Sequence, residues 1–299
     1  MRRRSVGDMD HRSDVREFLS SRRDRITPER AGLPAYGGNR RVPGLRREEV
    51  ALLAGVSVDY YTRLERGDLS GASDSVLDAL ARALQLDDAE TAHLFDLART
   101  ANASPVARRQ RKRAEAIRPS IQRLLDAIDA PALIRDNHFD YVAANRLARA
   151  LYSPVFAEPV PNSARFAFLN PAAPHFYREW DQTTQELVAT MRGEAGRNPY
   201  DKRLTDLVGE LSTRSDRFRT LWAAHNVRYH RTGVKKLHHP VVGDVDLTYE
   251  AFELPADPGL TLSTYTAEPG TASADALAML ASWAATTDLP APSRENAAS

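Results

Sequence analysis

Residues 45–68 read LRREEVALLAGVSVDYYTRLERGD, two short amphipathic segments separated by a single glycine, and this stretch constrains the fold more than any other. The first segment predicts a helix that buries Val50 and Leu53 on one face. Gly55 can take a positive φ without a Cβ clash, so it predicts a tight turn. Ser57 is a good N-cap residue and therefore predicts the start of a second helix.

The second helix has an inward face and an outward face. Tyr61 and Leu64 lie three residues apart and are predicted to face the core. Two helices joined in this way can place the second one in the major groove of DNA, while the first crosses the backbone. The same pattern also fits an ordinary corner inside a helical domain. The residues left pointing outward are Val58, Asp59, Thr62 and Arg63.

Basic and polar residues around the two helices predict particular DNA contacts. Arg63 can form a bidentate pair with a guanine. Arg46 and Arg47, together with the free N–H groups of the first helix, can hold a phosphate. Arg40 and Arg41 can extend the phosphate contacts. The predicted DNA-binding set is Arg46, Arg47, Ser57, Val58, Asp59, Thr62 and Arg63.

The stretch GVSVDYYTRLERGD resembles the recognition helix and following turn of the Cro/repressor-type (XRE) helix-turn-helix family. Arg63, Glu65 and Gly67 match the family's R-x-E-x-G pattern. The resemblance implies that Glu65 braces the domain through an internal ion pair and contacts no base. It also implies fourth and fifth helices over residues 74–84 and 88–99, with the core completed by Leu77, Leu80, Ala81 and Leu84. A Gly/Pro-rich insertion at residues 26–44 departs from most of the family and occurs in a subgroup.

Composition predicts two domains with different partners. A chain of 299 residues exceeds one typical domain, and its net charge of +1 conceals an asymmetry. Residues 1–113 hold 22 Lys and Arg against 17 Asp and Glu, whereas the remainder holds 19 against 23, which favours nucleic acid as the partner of the N-terminal part. The predicted divisions are a disordered basic tail at 1–13, a DNA-binding domain at 14–100, a charged linker at 101–115, a second domain at 116–284 and a disordered tail at 285–299.

The C-terminal half mixes helical and strand patterns. Amphipathic helices are predicted at 175–192 and 201–223, and a final short helix at 273–284. Alternating apolar residues predict two strands joined near PADPG, at residues 255–259. The Pro-rich stretch 153–174 is expected to be loop-like. The predicted fold class is therefore mostly α, with an α+β second domain.

The C-terminal half shows no catalytic pattern, and the chain is not expected to be an enzyme. It has no G-x-S-x-G elbow and no Gly-rich phosphate loop. The absence of cysteine excludes disulfides and Cys-ligated zinc. His225, His230, His238 and His239 match no zinc spacing, so we expect His238 and His239 to mark a strand entry held by hydrogen bonds. No metal and no cofactor is predicted.

Several motifs in residues 115–280 resemble, in order, the ligand-binding domain of MmyB-like transcription regulators. They include YVAANRLARALY, FAFLNPAAPHFYREW and the long segment that contains HHPVVGDVDLTYE. The resemblance implies a PAS-like domain, in which helices flank a small antiparallel sheet. It further implies a pocket for an apolar small molecule, with fatty acids as the suggested class. Relatives often have Trp before Asn145, where this chain has Ala143-Ala144.

An apolar pocket needs aromatic or aliphatic walls and one polar anchor. Phe166 and Phe252 can contribute walls beside the predicted ligand residues, and Arg135 is an alternative anchor. Each aromatic residue also fits an ordinary core position. The predicted ligand-binding set is Phe168, Phe176, Trp222, His225, Arg228 and Tyr249.

These observations predict a cytoplasmic, sequence-specific DNA-binding transcription regulator that senses a small apolar ligand and acts as a homodimer. Its partners are an operator in double-stranded DNA and the ligand, and no membrane. One alternative is an enzyme or lipid carrier in which the helix-turn-helix is an accessory. Another is an adaptor that uses the helical domain to bind proteins.

Overall fold

The computed structural model describes residues 6–33, 44–102, 117–224 and 232–286. These residues divide into two compact units. The first unit holds residues 6–33, 44–102, 189–205 and 221–224. The second unit holds residues 117–188, 206–220 and 232–286.

The N-terminal part of the first unit is entirely helical. Its helices are α1 (Val6–Asp24), α2 (Arg47–Ala54), α3 (Val58–Glu65), α4 (Asp74–Ala83) and α5 (Asp88–Asn102). The expectation of a disordered tail is wrong for residues 6–13, which belong to α1. The imidazole of His11 is buried, so this turn of the helix packs against the domain.

The core of these five helices follows the predicted pattern with one exception. Leu77, Leu80, Ala81 and Leu84 are all buried, as predicted. The prediction that Leu53 is buried is wrong, because its side chain is 36% exposed. The inward face of α2 is formed by Val50, Ala51 and Ala54, and Leu53 lies about 60° outside that arc.

The remaining elements contribute a sheet and nine further helices among the described residues. The strands are β1 (Ala132–Asp136), β2 (Tyr141–Ala144), β3 (Thr232–His239), β4 (Gly243–Glu253) and β5 (Leu260–Thr266). The helices are α6 (Pro119–Asp126), α7 (Arg146–Leu151), α8 (Ser153–Phe156), α9 (Ser163–Leu169), α10 (Ala173–Phe176), α11 (Trp180–Arg197), α12 (Lys202–Arg214), α13 (Asp216–Ala223) and α14 (Ala272–Thr286).

The five strands form one antiparallel sheet in the order β2-β1-β5-β4-β3. One face, here called the inner face, packs on α7 to α10 and α14 in a single hydrophobic cluster. On the other face, α6 covers β1, β2 and β5. Helices on an antiparallel sheet are the α+β arrangement predicted from the sequence, and that prediction is confirmed.

Of four local predictions in the second unit, two are confirmed and two are wrong. The strands predicted on either side of PADPG and the final helix are confirmed as β4, β5 and α14. The loop predicted at 153–174 is wrong, since α8, α9 and α10 lie there. Pro154 and Pro174 occupy first turns of helices, where a missing N–H and a fixed φ cost nothing. His239 ends β3 and does not open a strand, so the predicted entry is an exit.

Candidate nucleic-acid interface and ligand-binding domain

The turn between α2 and α3 has the predicted geometry. Gly55 caps α2 with a φ of 65°, and the N–H of Val56 donates to the carbonyl of Ala51 at 3.0 Å. Ser57 caps α3, because its Oγ accepts a hydrogen bond from the N–H of Tyr60 at 3.1 Å. These bonds satisfy backbone groups that both helix ends would otherwise leave unpaired.

The two faces of α3 separate as the sequence indicates. Tyr61 and Leu64 are fully buried. Val58, Asp59 and Arg63 are exposed, and Thr62 is half-buried. The helix therefore presents a continuous surface of side chains on the side opposite the core.

Arg63 is held on the exposed surface by two contacts. Its guanidinium carbon lies 4.9 Å from the centroid of the Tyr60 ring, and its Nη2 donates to the carbonyl of Ser70 at 3.4 Å. Both contacts are at the surface and leave the guanidinium accessible to a partner. A guanidinium that is already oriented loses less freedom on binding than an extended one.

Glu65 joins α1 to α2 from the end of α3. Its side chain is only 2% exposed and accepts from Arg23 Nε at 2.6 Å and from Arg47 Nε. Arg23 also donates to the carbonyl of Leu45 at 2.8 Å. Burial alone lowers the pKa of Arg23, but the hydrogen bond and charge of Glu65 outweigh it and raise that pKa. The internal ion pair implied for Glu65 is thus present.

Arg23 is a residue that the sequence reasoning missed. It lies on α1 four residues after Leu19 and five after Phe18, at the edge of an apolar helix face. A basic residue in that position can reach a carboxylate inside the domain while its stem packs on the core. The signal was a pair of basic residues, Arg22 and Arg23, that continues an otherwise apolar helix face.

The N-terminus of α2 places two of the predicted phosphate contacts. Arg46 caps the helix, and its backbone N–H donates to Glu49 at 2.6 Å. The side chains of Arg46 and Arg47 are both about half-exposed. Glu48 lies 3.3 Å from the Arg46 guanidinium, so one carboxylate competes with any anion there. Arg40 and Arg41 lie outside the described residues.

The predicted ligand residues do not form one group. Phe176 and Tyr249 are buried in the cluster on the inner face of the sheet. Phe168 packs against Phe218 with ring centroids 5.1 Å apart. Trp222 belongs to the first unit, where its ring centroid lies 4.1 Å from the guanidinium carbon of Arg192. His225 and Arg228 lie outside the described residues.

The structure gives different roles to Phe252, predicted as a pocket wall, and to Arg135, predicted as an anchor. Phe252 is 52% exposed and points away from the inner face, because it follows the outward residues of β4 in alternation. The guanidinium of Arg135 lies 4.5 Å from the Phe139 ring and donates to the carbonyl of Asp136, so it supports the turn after β1. Phe166 is buried, as a wall or a core residue would be.

Aromatic rings form a chain through the inner cluster. Tyr249 lies 6.2 Å from Tyr265, which lies 5.4 Å from Tyr152. Tyr152 in turn lies 5.9 Å from Phe176. Burial raises the pKa of the Tyr265 phenol to about 12 and raises the pKa of the Tyr152 phenol well above its usual value, so these hydroxyls stay protonated.

Asn145 links three elements of the second unit. Its Oδ1 accepts from the N–H groups of Ala148 and Ala132, so it caps α7 and binds β1. Its Nδ2 donates to the carbonyls that follow α6, of which Ala130 at 2.7 Å is the nearest. This position adjoins the Ala143-Ala144 departure, so a structural residue sits beside the altered one.

His239 has a structural environment. Its Nε2 donates to the carbonyl of Ala150 at 2.9 Å, and its Nδ1 accepts from the N–H of Val241. Burial lowers its pKa, which favours this neutral tautomer. In the parts of the chain that the structure describes, no group of three or more His, Cys, Asp or Glu could hold a metal ion.

A helix-turn-helix with an exposed second helix, followed by an antiparallel sheet covered by helices, defines a class of two-domain regulators. Comparison with family models matches residues 10–94 to a helix-turn-helix domain. Residues 117–280 match the MmyB-like transcription regulator ligand binding domain. That match covers more than half of the chain, so the chain belongs to the MmyB-like family. A search of curated proteins finds no match.

The two family matches carry the main functional conclusion. The chain is a DNA-binding transcription regulator with a domain that senses a small molecule. This architecture is that of a regulator rather than of an enzyme. Separately, none of the helices within the described ranges has the length and hydropathy that crossing a membrane requires.

Proposed function

We propose that α3 lies in the major groove and reads an operator sequence through Val58, Asp59, Thr62 and Arg63, with Ser57 at its N-terminus. The observation that carries this proposal is the outward surface of α3 opposite its buried face. Arg63 suits a guanine, and the methyl groups of Val58 and Thr62 suit thymine. Asp59 repels phosphate, so it suits only the amino group of a cytosine.

Arg46 and Arg47 are proposed to fix the register on the DNA backbone. Both lie at the N-terminus of α2, where the partial positive charge of the helix favours a phosphate. Glu65 holds Nε of Arg47 and thereby orients the rest of its guanidinium. Contacts of this kind position the domain without choosing a sequence.

The test begins with the full chain and a library of random 30-base-pair duplexes, from which bound sequences are selected. Arg63→Ala should weaken binding to the selected duplex by about 1–3 kcal/mol, roughly 5- to 150-fold, and relax preference at one base pair. Arg82→Ala is the matched control, because Arg82 is an exposed arginine in the last turn of α4 and is not one of the proposed DNA contacts. Unchanged affinity and preference in Arg63→Ala would remove Arg63 from the readers.

The second part of the proposal concerns ligand and assembly. We propose that the chain acts in the cytoplasm as a homodimer and that its C-terminal, PAS-like domain binds a small apolar ligand, with fatty acids as the class. Phe168, Phe176 and Tyr249, which all belong to the second unit, remain the candidate walls. The connected aromatic rings on the inner face support an apolar ligand, and a two-fold dimer matches a palindromic operator.

Native mass spectrometry of the purified full chain tests ligand and assembly together. The proposal expects twice the monomer mass and a bound apolar small molecule. A bare monomer at micromolar concentration would contradict both statements. Turnover of a bound molecule would favour the enzyme alternative, and binding to a protein with no DNA affinity would favour the adaptor.

A further inference from the structure

Lys235 is a buried lysine on the mostly apolar inner face of the sheet. It lies on the inner face of β3, opposite Leu247 and between Gly233 and Leu237, and its side chain is 9% exposed. The next residue, Lys236, points to the other face and is 37% exposed. Lysine is almost never buried unless it has a partner. The partner of Lys235 is Glu186 on α11, with Nζ and Oε2 2.7 Å apart.

An aromatic wall stands beside this ion pair. Nζ of Lys235 lies 5.4 Å from the centroid of the Tyr249 ring. A Cβ at Gly233 would lie 2.9 Å from Cε1 of Tyr249 and 3.0 Å from its hydroxyl, so glycine is needed there for the ring to approach. The ring of Tyr249 continues into the buried aromatic chain through Tyr265. A cation, a phenol and an apolar interior therefore meet at one place.

Stability gives little reason for a lysine here. A buried ion pair gains about as much from attraction as it loses from desolvation, and an apolar pair of similar volume often serves as well or better. What an apolar residue cannot do is accept an anion. A carboxylate can take the place of Glu186 on the ammonium group with no change in the charge of the site. The carboxylate of Glu186 is 18% exposed and so is already near water.

We propose that Lys235 binds the acidic group of the ligand, which is an amphipathic carboxylate whose apolar body lies along the aromatic residues of the inner face. Glu186 is then the resident counterion that the ligand displaces. The proposal rests on the proposed apolar-ligand function and adds to it the residue that receives the acidic group of the ligand. A neutral ligand of the same length should bind without using Lys235.

The experiment measures binding of decanoate and of the uncharged 1-decanol to the full chain, freed of bound lipid, by calorimetry. Lys235→Met should lower decanoate affinity by about 10- to 100-fold, the cost of losing a charged hydrogen bond, and change decanol affinity by less than about 3-fold. Lys236→Met is the matched control, since Lys236 makes the same 2.7 Å ion pair, to Glu179, on the other face. It should leave both affinities unchanged.

Glu186→Gln keeps the cation and removes its competitor, so it should raise decanoate affinity, and it serves if Lys235→Met does not fold. The role of Lys235 would be overturned, and the proposed apolar-ligand function would stand, if decanoate affinity were unchanged in both Lys235→Met and Glu186→Gln. The same conclusion would follow if Lys235→Met lowered the affinities for decanoate and decanol equally. If the wild-type chain binds neither compound, the proposed apolar-ligand function fails and the assignment of Lys235 fails with it.

Discussion

The prediction that tests the geometry of the DNA-binding domain most severely is Glu65→Gln. Glu65 is the carboxylate shared by Arg23 and Arg47, and it is almost fully buried. Glutamine keeps the size of the side chain and removes its charge. The buried guanidinium of Arg23 is then left without its main counterion.

The magnitude follows from what Arg23 retains. Removing one partner of a buried ion pair costs about 3–5 kcal/mol. Arg23 keeps the carbonyl of Leu45 at 2.8 Å and the half-exposed Asp24 at 2.9 Å, so the lower end, about 3 kcal/mol, applies. A loss of 3 kcal/mol corresponds to a change of about 150-fold in the opening equilibrium.

Native-state hydrogen exchange of the full chain, read by mass spectrometry on peptides from α3 and α4, reports this opening within the domain. The slowest amides should exchange about 150-fold faster in Glu65→Gln. Glu48→Gln is the control, because Glu48 is 63% exposed beside Arg46 and an exposed pair is worth about 0–1 kcal/mol. A change below about 5-fold in Glu65→Gln, or an equal change in the control, would refute the reasoning.

Three further substitutions test other parts of the fold. Gly55→Ala puts a Cβ on a residue with a φ of 65°, and because no atom lies within 4 Å of that Cβ, the backbone conformation alone should lower the free energy of unfolding by about 1 kcal/mol. Gly209→Ala, in the middle of α12 where an added Cβ also meets no atom within 4 Å, should raise the free energy of unfolding by up to about 1 kcal/mol. Equal effects at the two glycines in urea denaturation would contradict the assigned turn. Asn145→Ala removes the cap of α7 and the bonds to β1 and to the segment after α6, so the second unit should lose about 3 kcal/mol or more. Urea denaturation monitored by tryptophan fluorescence measures this loss, and a decrease of less than about 1 kcal/mol in the free energy of unfolding would show that these bonds contribute little.

The DNA-binding domain was largely predictable because its pattern is local. The glycine turn, the cap at Ser57 and the inward pair Tyr61 and Leu64 are all set by residues close in sequence. The prediction of a buried Leu53 is wrong because helix periodicity places an apolar residue on one side of the helix but does not fix which edge of that side the neighbouring helices cover. Arg23 reaches Glu65 across 42 residues, and no local pattern shows such a contact.

The second domain was less predictable because its structure depends on contacts between residues that are distant in sequence. Short helices such as α8 and α10 carry a proline in their first turn, and prolines are typical of helix breaks when the surrounding contacts are unknown. Apolar aromatic residues look alike in a core and in a pocket, and only the fold separates Phe252 from Phe176. Lys235 drew no attention in the sequence, because a lysine beside another lysine reads as surface until strand alternation places them on opposite faces.

The central claim is that a small molecule changes the affinity of this chain for DNA. Its most direct test is the dissociation constant of the full chain for the selected duplex, measured at one salt concentration without and with saturating decanoate. The account predicts a change of about 5- to 150-fold, the usual size of coupling between two sites. The same dissociation constant in both conditions, with decanoate shown to be bound, would contradict it.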